Sequence, residues 1–89
     1  MKLKDLSAKT DLIKRVRRIE GQARGVVRMI EEDRDCNEIL QQLAAIRSAA
    51  HQATVALVRA YATECVMSMS GDSSAEIAEA LATVLSRLA

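Results

Sequence analysis

Apolar side chains recur at alternating spacings of three and four residues through the middle of the chain. The row consists of Cys36, Ile39, Leu43, Ile46, Ala50, Ala53, Leu57 and Ala60, and no Gly or Pro interrupts it. A repeat of this kind is a heptad seam, which forms when a long helix buries one stripe of side chains against another helix. The seam therefore predicts a long helix that begins near Asp35 and pairs with a second helix along its length.

The composition excludes most other fold classes. The chain has 89 residues, with no Pro, Trp or Phe and only three Gly. Strands favour runs of β-branched and aromatic residues, and tight turns favour Gly and Pro. This sequence offers few of either, which disfavours folds built from strands. A chain of this length makes about one domain and buries a modest core. We therefore expect one all-α domain over residues 1–89, and we expect it to form oligomers.

The cellular compartment follows from what the sequence lacks. No apolar stretch approaches the roughly 18 residues of a membrane-spanning helix. The first residues, MKLKDLSAKTD, lack the apolar centre of a signal peptide. We expect a cytoplasmic protein with no membrane partner, in which Cys36 and Cys65 are thiols rather than a structural disulfide.

Two further helices flank the seam. Apolar residues every three or four positions predict a first helix over about residues 9–32, preceded by a flexible basic arm over residues 1–8. Asp35 and Glu38 have the spacing of a capping box at the start of the long helix. A second capping box at 73–76 begins a short third helix, after the long helix ends within 67–72. The apolar face of the third helix is Ile77, Leu81, Val84, Leu85 and Leu88.

Positive charge is concentrated at the N-terminal end. Residues 1–28 contain nine Lys or Arg and three Asp or Glu, whereas the whole chain has a net charge of only +1. Segregated charge favours a polyanionic partner. The densest basic cluster lies on the arc of the first helix opposite its apolar face, with one member on the flank of that arc. It consists of Lys14, Arg15, Arg17 and Arg18, which we take as candidate residues for binding a polyanion such as DNA. A helical scaffold with a solvated basic face is the alternative.

Cys36 and Cys65 lie 29 positions apart on the predicted long helix. At about 100° and 1.5 Å per residue, their side chains point within roughly 20° of each other but lie roughly 40 Å apart. If two copies of the helix pack antiparallel about a twofold axis near Ala50 and His51, Cys36 of one chain lies opposite Cys65 of the other. Tyr61 then lies one turn from this pair. Two ordinary buried cysteines are the alternative.

His51 is the only histidine in the chain. It lies several turns from both cysteines on the same helix, so it cannot serve as a base for either thiol. One histidine and two distant cysteines also form no zinc motif within the chain. We therefore expect neither an enzyme nor a zinc protein, and we assign no catalytic residue.

A run of motifs covers most of the chain: RRIEGQ at 17–22, RG at 24–25, MIEEDR at 29–34, and Cys36 followed by Cys65. These motifs resemble the CsoR/RcnR family of bacterial transcriptional repressors. The resemblance implies a three-helix protomer, an antiparallel four-helix-bundle dimer and a homotetramer built as a dimer of dimers. It also implies a repressor that binds double-stranded operator DNA without a helix-turn-helix and releases it when an inducer reacts between protomers.

The resemblance also implies an inducer. Copper-sensing members use Cys, His and Cys at the positions that are here Cys36, Tyr61 and Cys65, and a phenol is a weak Cu(I) ligand at neutral pH. Nickel and cobalt sensors use several histidines and formaldehyde-responsive members use an N-terminal proline, whereas this chain has one His and no Pro. The persulfide-sensing branch keeps both cysteines and lacks the histidine. Reactive sulfur is therefore the leading assignment and needs no cofactor. Cu(I) bound by Cys36 and Cys65 is the alternative.

Overall fold

A computed structural model describes residues 2–67 and 74–87 of the chain. Helix α1 spans Leu6–Glu31, α2 spans Cys36–Met67 and α3 spans Ser74–Ser86. The described residues contain no strand, which confirms the all-α class. The expected end of the long helix and the start of the second capping box fall at 68–73, and Leu88 follows residue 87. All of these lie outside the described residues.

Helix α1 begins at Leu6 rather than near residue 9. The Asp5 side chain accepts hydrogen bonds from the N–H groups of Ser7 at 2.9 Å and Ala8 at 3.4 Å. This cap satisfies donors that the first turn of a helix otherwise leaves unpaired. Residues 6–8, which were expected to be part of the arm, therefore form the first turn of α1.

A tight turn over residues 32–35 separates α1 from α2. Asp33 has a φ of 55°, in the left-handed region. The N–H of Asp33 donates to the Ile30 carbonyl at 3.1 Å, and that of Arg34 donates to the Met29 carbonyl at 3.0 Å. These two bonds form a Schellman motif, which ends α1 and reverses the chain.

The start of α2 agrees with the prediction in part. Asp35 caps the helix, because its Oδ2 accepts the N–H of Asn37 at 3.1 Å. Glu38 does not complete the capping box. Its Oε2 instead forms an ion pair with the exposed Arg34 side chain at 2.9 Å. The Glu38 carboxylate is therefore not the second acceptor that a capping box requires.

Helices α1 and α2 pack side by side as an antiparallel hairpin. The start of α1 lies beside the end of α2, where the N–H groups of Lys4 and Asp5 both donate to Oε1 of Glu64 at 2.7 Å. Helix α3 packs against α2. None of the helices that the structure describes is long and apolar enough to cross a membrane.

The predicted seam of α2 divides into two rows with different environments. The inner row, which is buried or half-buried within the chain, is Ile39, Ile46, Ala53 and Ala60. The outer row, which is exposed, is Cys36, Leu43, Ala50 and Leu57. Exposed apolar residues of α1 lie on the same side of the hairpin, because on both antiparallel helices the exposed apolar residues are reached by turning in the same sense from the buried ones. They are Ile13, Val16, Val27 and Ile30. The predicted helix pairing is therefore confirmed for the inner row.

Replacing the cap of α1 tests the helix start. Asp5→Ala should lower the free energy of unfolding by about 1 kcal/mol, because two N–H groups lose their acceptor. Asp11→Ala is the matched control. It removes the same charge from the same region but breaks only an exposed ion pair with Arg15, worth about 0.2–0.5 kcal/mol. Urea unfolding at one fixed chain concentration measures both. Equal losses in the two variants would contradict the cap.

Candidate functional site

Cys36 is the first residue of α2, and its side chain is exposed. The Asp35 cap fixes the point at which the helix begins, and the ion pair between Arg34 and Glu38 spans this first turn. An exposed thiol at a fixed helix start is open to a small reactant from solvent.

Cys65 has the opposite environment. It lies in the last turns of α2 and is only 1% exposed. Its neighbour Glu64 accepts the N–H groups of Lys4 and Asp5. The second thiol therefore lies where the start of α1 is tied to the end of α2. Sequence reasoning gave burial only as an alternative, and it did not predict the contact with the residues before α1, because it treated them as a flexible arm.

The structure keeps the two thiols apart within one chain. Helix α2 is continuous from Cys36 to Met67, so a rise of about 1.5 Å per residue separates Cys36 and Cys65 by roughly 40 Å. A disulfide requires Cα atoms within about 7 Å. Any bond or shared ligand between these thiols must therefore join two chains.

Tyr61 lies one turn before Cys65 and is half-buried. It lines an apolar cleft of about 370 Å³ to which three parts of the chain contribute. The other lining residues are Leu3 before α1, Thr54, Leu57 and Val58 of α2, and Val84 and Arg87 at the end of α3. The phenol is thus on the same stretch of α2 as Cys65, as the spacing predicts.

His51 is exposed in the middle of α2 and lines a shallow cleft with Leu43 and Arg47. Its position agrees with the prediction that it is remote from both cysteines. Among the described residues, no three His, Cys, Asp or Glu side chains of one chain are grouped to hold a metal. Cys36 and Cys65 could hold Cu(I) only as a pair drawn from two chains.

The basic cluster divides between two surfaces. Lys14, Arg17 and Arg18 are exposed, as predicted. Arg15 is half-buried, and its Nε donates to Oδ2 of Asp11 at 2.8 Å. Unlike the other three, Arg15 lies beside α2.

The region around Arg15 contains a basic residue that sequence reasoning missed. A cleft of about 290 Å³, which we call the Arg15–Arg59 cleft, is lined by Arg15, Gln52, Val55, Ala56 and Arg59. Gln52 and Arg59 lie seven residues apart on α2, so they share one side of that helix. This spacing was the available signal, but Arg59 lies far along the chain from the basic N-terminal third.

The comparison with protein families shows which family the chain belongs to. The model of a family described as metal-sensitive transcriptional repressors matches residues 8–87. The chain belongs to that family. This result confirms the resemblance to the CsoR/RcnR repressors, and the family consists of repressors rather than enzymes.

Relatives of this repressor family share much of the chain. RicR, a copper-sensing transcriptional repressor of Mycobacterium tuberculosis, is 43% identical over 58 residues, which are 65% of this chain and 60% of RicR. CsoR, a copper-sensing transcriptional repressor of Bacillus subtilis, is 38% identical over 80 residues, 88% of this chain and 79% of CsoR. The chain thus matches less than two thirds of the length of RicR.

A solved structure gives the same result for the fold. The nickel-responsive transcriptional regulator InrS is 29% identical, with a TM-score of 0.77, and the match covers 100% of this chain and 98% of InrS. The three-helix protomer of the repressor family is therefore present here. The persulfide assignment stays a prediction, while the copper-sensing relatives agree with the alternative.

The unequal exposure of the two thiols predicts unequal reactivity. Cys36 should react with iodoacetamide more than about tenfold faster than Cys65, because a buried group reacts only after local opening. Peptide mapping by mass spectrometry after timed quenching measures both rates. In urea the two rates should converge, which provides the control. Equal rates in the folded protein would contradict the burial of Cys65.

Proposed function

We propose that this protein is a cytoplasmic transcriptional repressor that binds operator DNA and releases it when reactive sulfur links Cys36 to Cys65 of a partner subunit. The observation that carries this proposal is the placement of the two thiols at opposite ends of one continuous helix. Because the link can form only between chains, it acts on the arrangement of protomers. The arrangement of protomers is what sets the spacing of basic surfaces on a duplex.

The repressor acts as an antiparallel dimer, and two dimers form a tetramer. The support is the exposed outer row of α2 together with the exposed apolar residues of α1. Leu43 is 46% exposed, Leu57 is 40% exposed and Ile30 is 56% exposed. Contiguous apolar surface of this kind marks an interface, and a symmetric pair covers Leu43, Ala50 and Leu57 on both chains at once, with Cys36 at the rim of the covered surface. An antiparallel partner on this row places Cys36 near the partner's Cys65.

The unequal exposure of the thiols sets the order of reaction. The Cys36 thiolate attacks the outer sulfur of a persulfide RSSH, which gives Cys36–SSH and the thiol RSH. The thiolate of the partner's Cys65 then attacks Sγ of Cys36 and expels hydrosulfide, leaving an interprotomer disulfide. A second sulfur transfer to Cys36 before this step leaves a trisulfide instead. Electrons balance, because the persulfide sulfur is reduced to sulfide while the two thiols are oxidised.

Cu(I) sensing is the second candidate, and the copper-sensing relatives RicR and CsoR favour it. Cys36 and the partner's Cys65 could hold Cu(I) as two thiolates, which are soft ligands suited to this ion. Tyr61 stands where copper-sensing members carry the third ligand. A scaffold without DNA binding has no support from the family.

The DNA-binding part of the proposal is tested with genomic DNA fragments that are selected by their binding to the immobilised, reduced protein. One such duplex, labelled with fluorescein, is titrated by anisotropy at several salt concentrations. Arg18→Ala should weaken binding and reduce the magnitude of the salt slope by about 0.9, the value for one phosphate contact. Arg34→Ala removes the same charge at the turn before α2 and is the control. If both variants bind alike, the basic cluster is only a solvated face.

The switch is tested with the cysteine variants. Glutathione persulfide should convert the wild type to a crosslinked dimer on a non-reducing gel and should release the duplex. Cys36→Ala and Cys65→Ala should each bind DNA when reduced, but should neither crosslink nor release it, because each lacks one end of the bridge.

Tyr61 variants separate the two inducers within the same experiment. Tyr61→His should raise Cu(I) affinity by at least about tenfold in competition with a chelator, because it restores a third ligand. Tyr61→Phe should leave persulfide crosslinking intact. Full release of DNA from persulfide-treated Cys36→Ala, or wild-type Cu(I) binding as tight as that of Tyr61→His, would overturn the reactive-sulfur assignment.

A further inference from the structure

The Arg15–Arg59 cleft joins two positive side chains from different helices. Among the described residues, the one ion pair there is between Nε of Arg15 and Asp11 at 2.8 Å, and the guanidinium of Arg59 has no hydrogen-bond partner. The Asp11 contact uses one of the five N–H donors of Arg15, which leaves the rest of its fork available. Gln52 adds a neutral amide to the same cleft.

These groups match the chemistry of a phosphate. Arg15 and Arg59 both line the cleft, and two guanidinium groups held near one another repel unless an anion lies between them. Their planar forks donate paired N–H groups in the geometry that phosphate oxygens accept. The floor of Val55 and Ala56 is apolar, and a volume of about 290 Å³ admits a phosphate with its bound water. In the described part of the chain, no Asp or Glu is among the residues that line the cleft, and Asp11 approaches it only through its ion pair with Arg15.

The position of the cleft fits a duplex. Arg59 is two residues after Leu57, a member of the exposed outer row, so the two side chains point about 200° apart around α2. Protomers that pair through the outer row therefore leave the cleft open. On α1, Arg18 lies one turn after Arg15, so the cleft continues the exposed basic cluster onto α2.

We infer that the Arg15–Arg59 cleft binds one backbone phosphate of duplex DNA between the two guanidinium groups. This inference rests on the proposed function, because it adds α2 to the same DNA interface. Arg59 acts with Arg15, and a basic face on α1 alone would not account for DNA affinity. Phosphate contacts fix the position of a protein on the duplex without reading its sequence.

A charge-removing and a charge-keeping variant of Arg59 test the inference on the same genomic duplex. Arg59→Gln should weaken binding about tenfold and reduce the magnitude of the salt slope by about 0.9. Arg59→Lys should keep the slope, because it keeps the charge, but should bind more weakly, because it loses the fork. Arg34→Gln is the control for charge alone. Circular dichroism should show unchanged helix content in all three.

A double-mutant cycle decides whether one phosphate contacts both side chains. Arg15→Gln and Arg59→Gln should be non-additive, since each removes a contact to the same group. Additive losses would overturn the shared site, as would wild-type affinity and slope in Arg59→Gln. If the reduced wild type binds no duplex, the proposed function itself fails. If it binds a duplex and Arg59→Gln binds equally well, only this inference fails.

Discussion

The packing of α1 along α2 is the contact on which the other features depend, and it is a thin one. Among the described residues, the buried apolar side chains are Val26, Ala53 and Cys65. Small side chains bury little area, and burial yields only about 25 cal/mol per Å². One hairpin of this kind cannot offset the conformational entropy of its own chain. We therefore expect most of the remaining stabilisation to come from burial of the outer row of α2 against a second chain. The free energy of unfolding should then depend on chain concentration, as it does for obligate oligomers.

Both ends of α1 are fixed to its surroundings. At the N-terminal end, Glu64 binds the N–H groups of Lys4 and Asp5, and Asp5 caps the helix. At the C-terminal end, the left-handed Asp33 closes the turn into α2. The basic cluster on α1 is thus coupled to the last turns of α2. A displacement next to Cys65 acts on Asp5, which caps the helix that we propose to bind DNA.

The features that could be predicted from sequence are those set by local spacing. The unbroken seam and the Asp35 cap predicted the start of α2 and its continuity as far as Met67. The start of α1 was missed, because position 8 carries Ala rather than the Glu or Gln of a capping box. The turn at Asp33 was predicted only as a change of pattern, since Gly is the usual residue in a left-handed helix end and Asp is not.

The features of the site that depend on position along one helix could be predicted, whereas those that depend on packing between helices could not. Periodicity gives the side of a helix on which a residue lies, and it correctly placed Tyr61 near Cys65. It does not give the position of one helix around another. The burial of Cys65, the contact of Arg15 with the side of α2 and the presence of Arg59 in the same cleft all depend on that position. Coil residues such as Lys4, which bind through backbone N–H groups, leave no sequence signal at all.

The placement of the thiols limits how the proposed inducer could act. Cys65 and Arg59 lie six residues apart, so their side chains point about 120° apart around α2, and an inducer on the thiols does not block the Arg15–Arg59 cleft directly. The effect must pass through helix position. Hydrogen bonds weaken steeply beyond about 3.2 Å, so a shift of about 1–2 Å between α1 and α2 is enough to break the shared phosphate contact that we infer for Arg15 and Arg59. Loss of such a contact matches the coupling of about 1–3 kcal/mol typical of allosteric proteins.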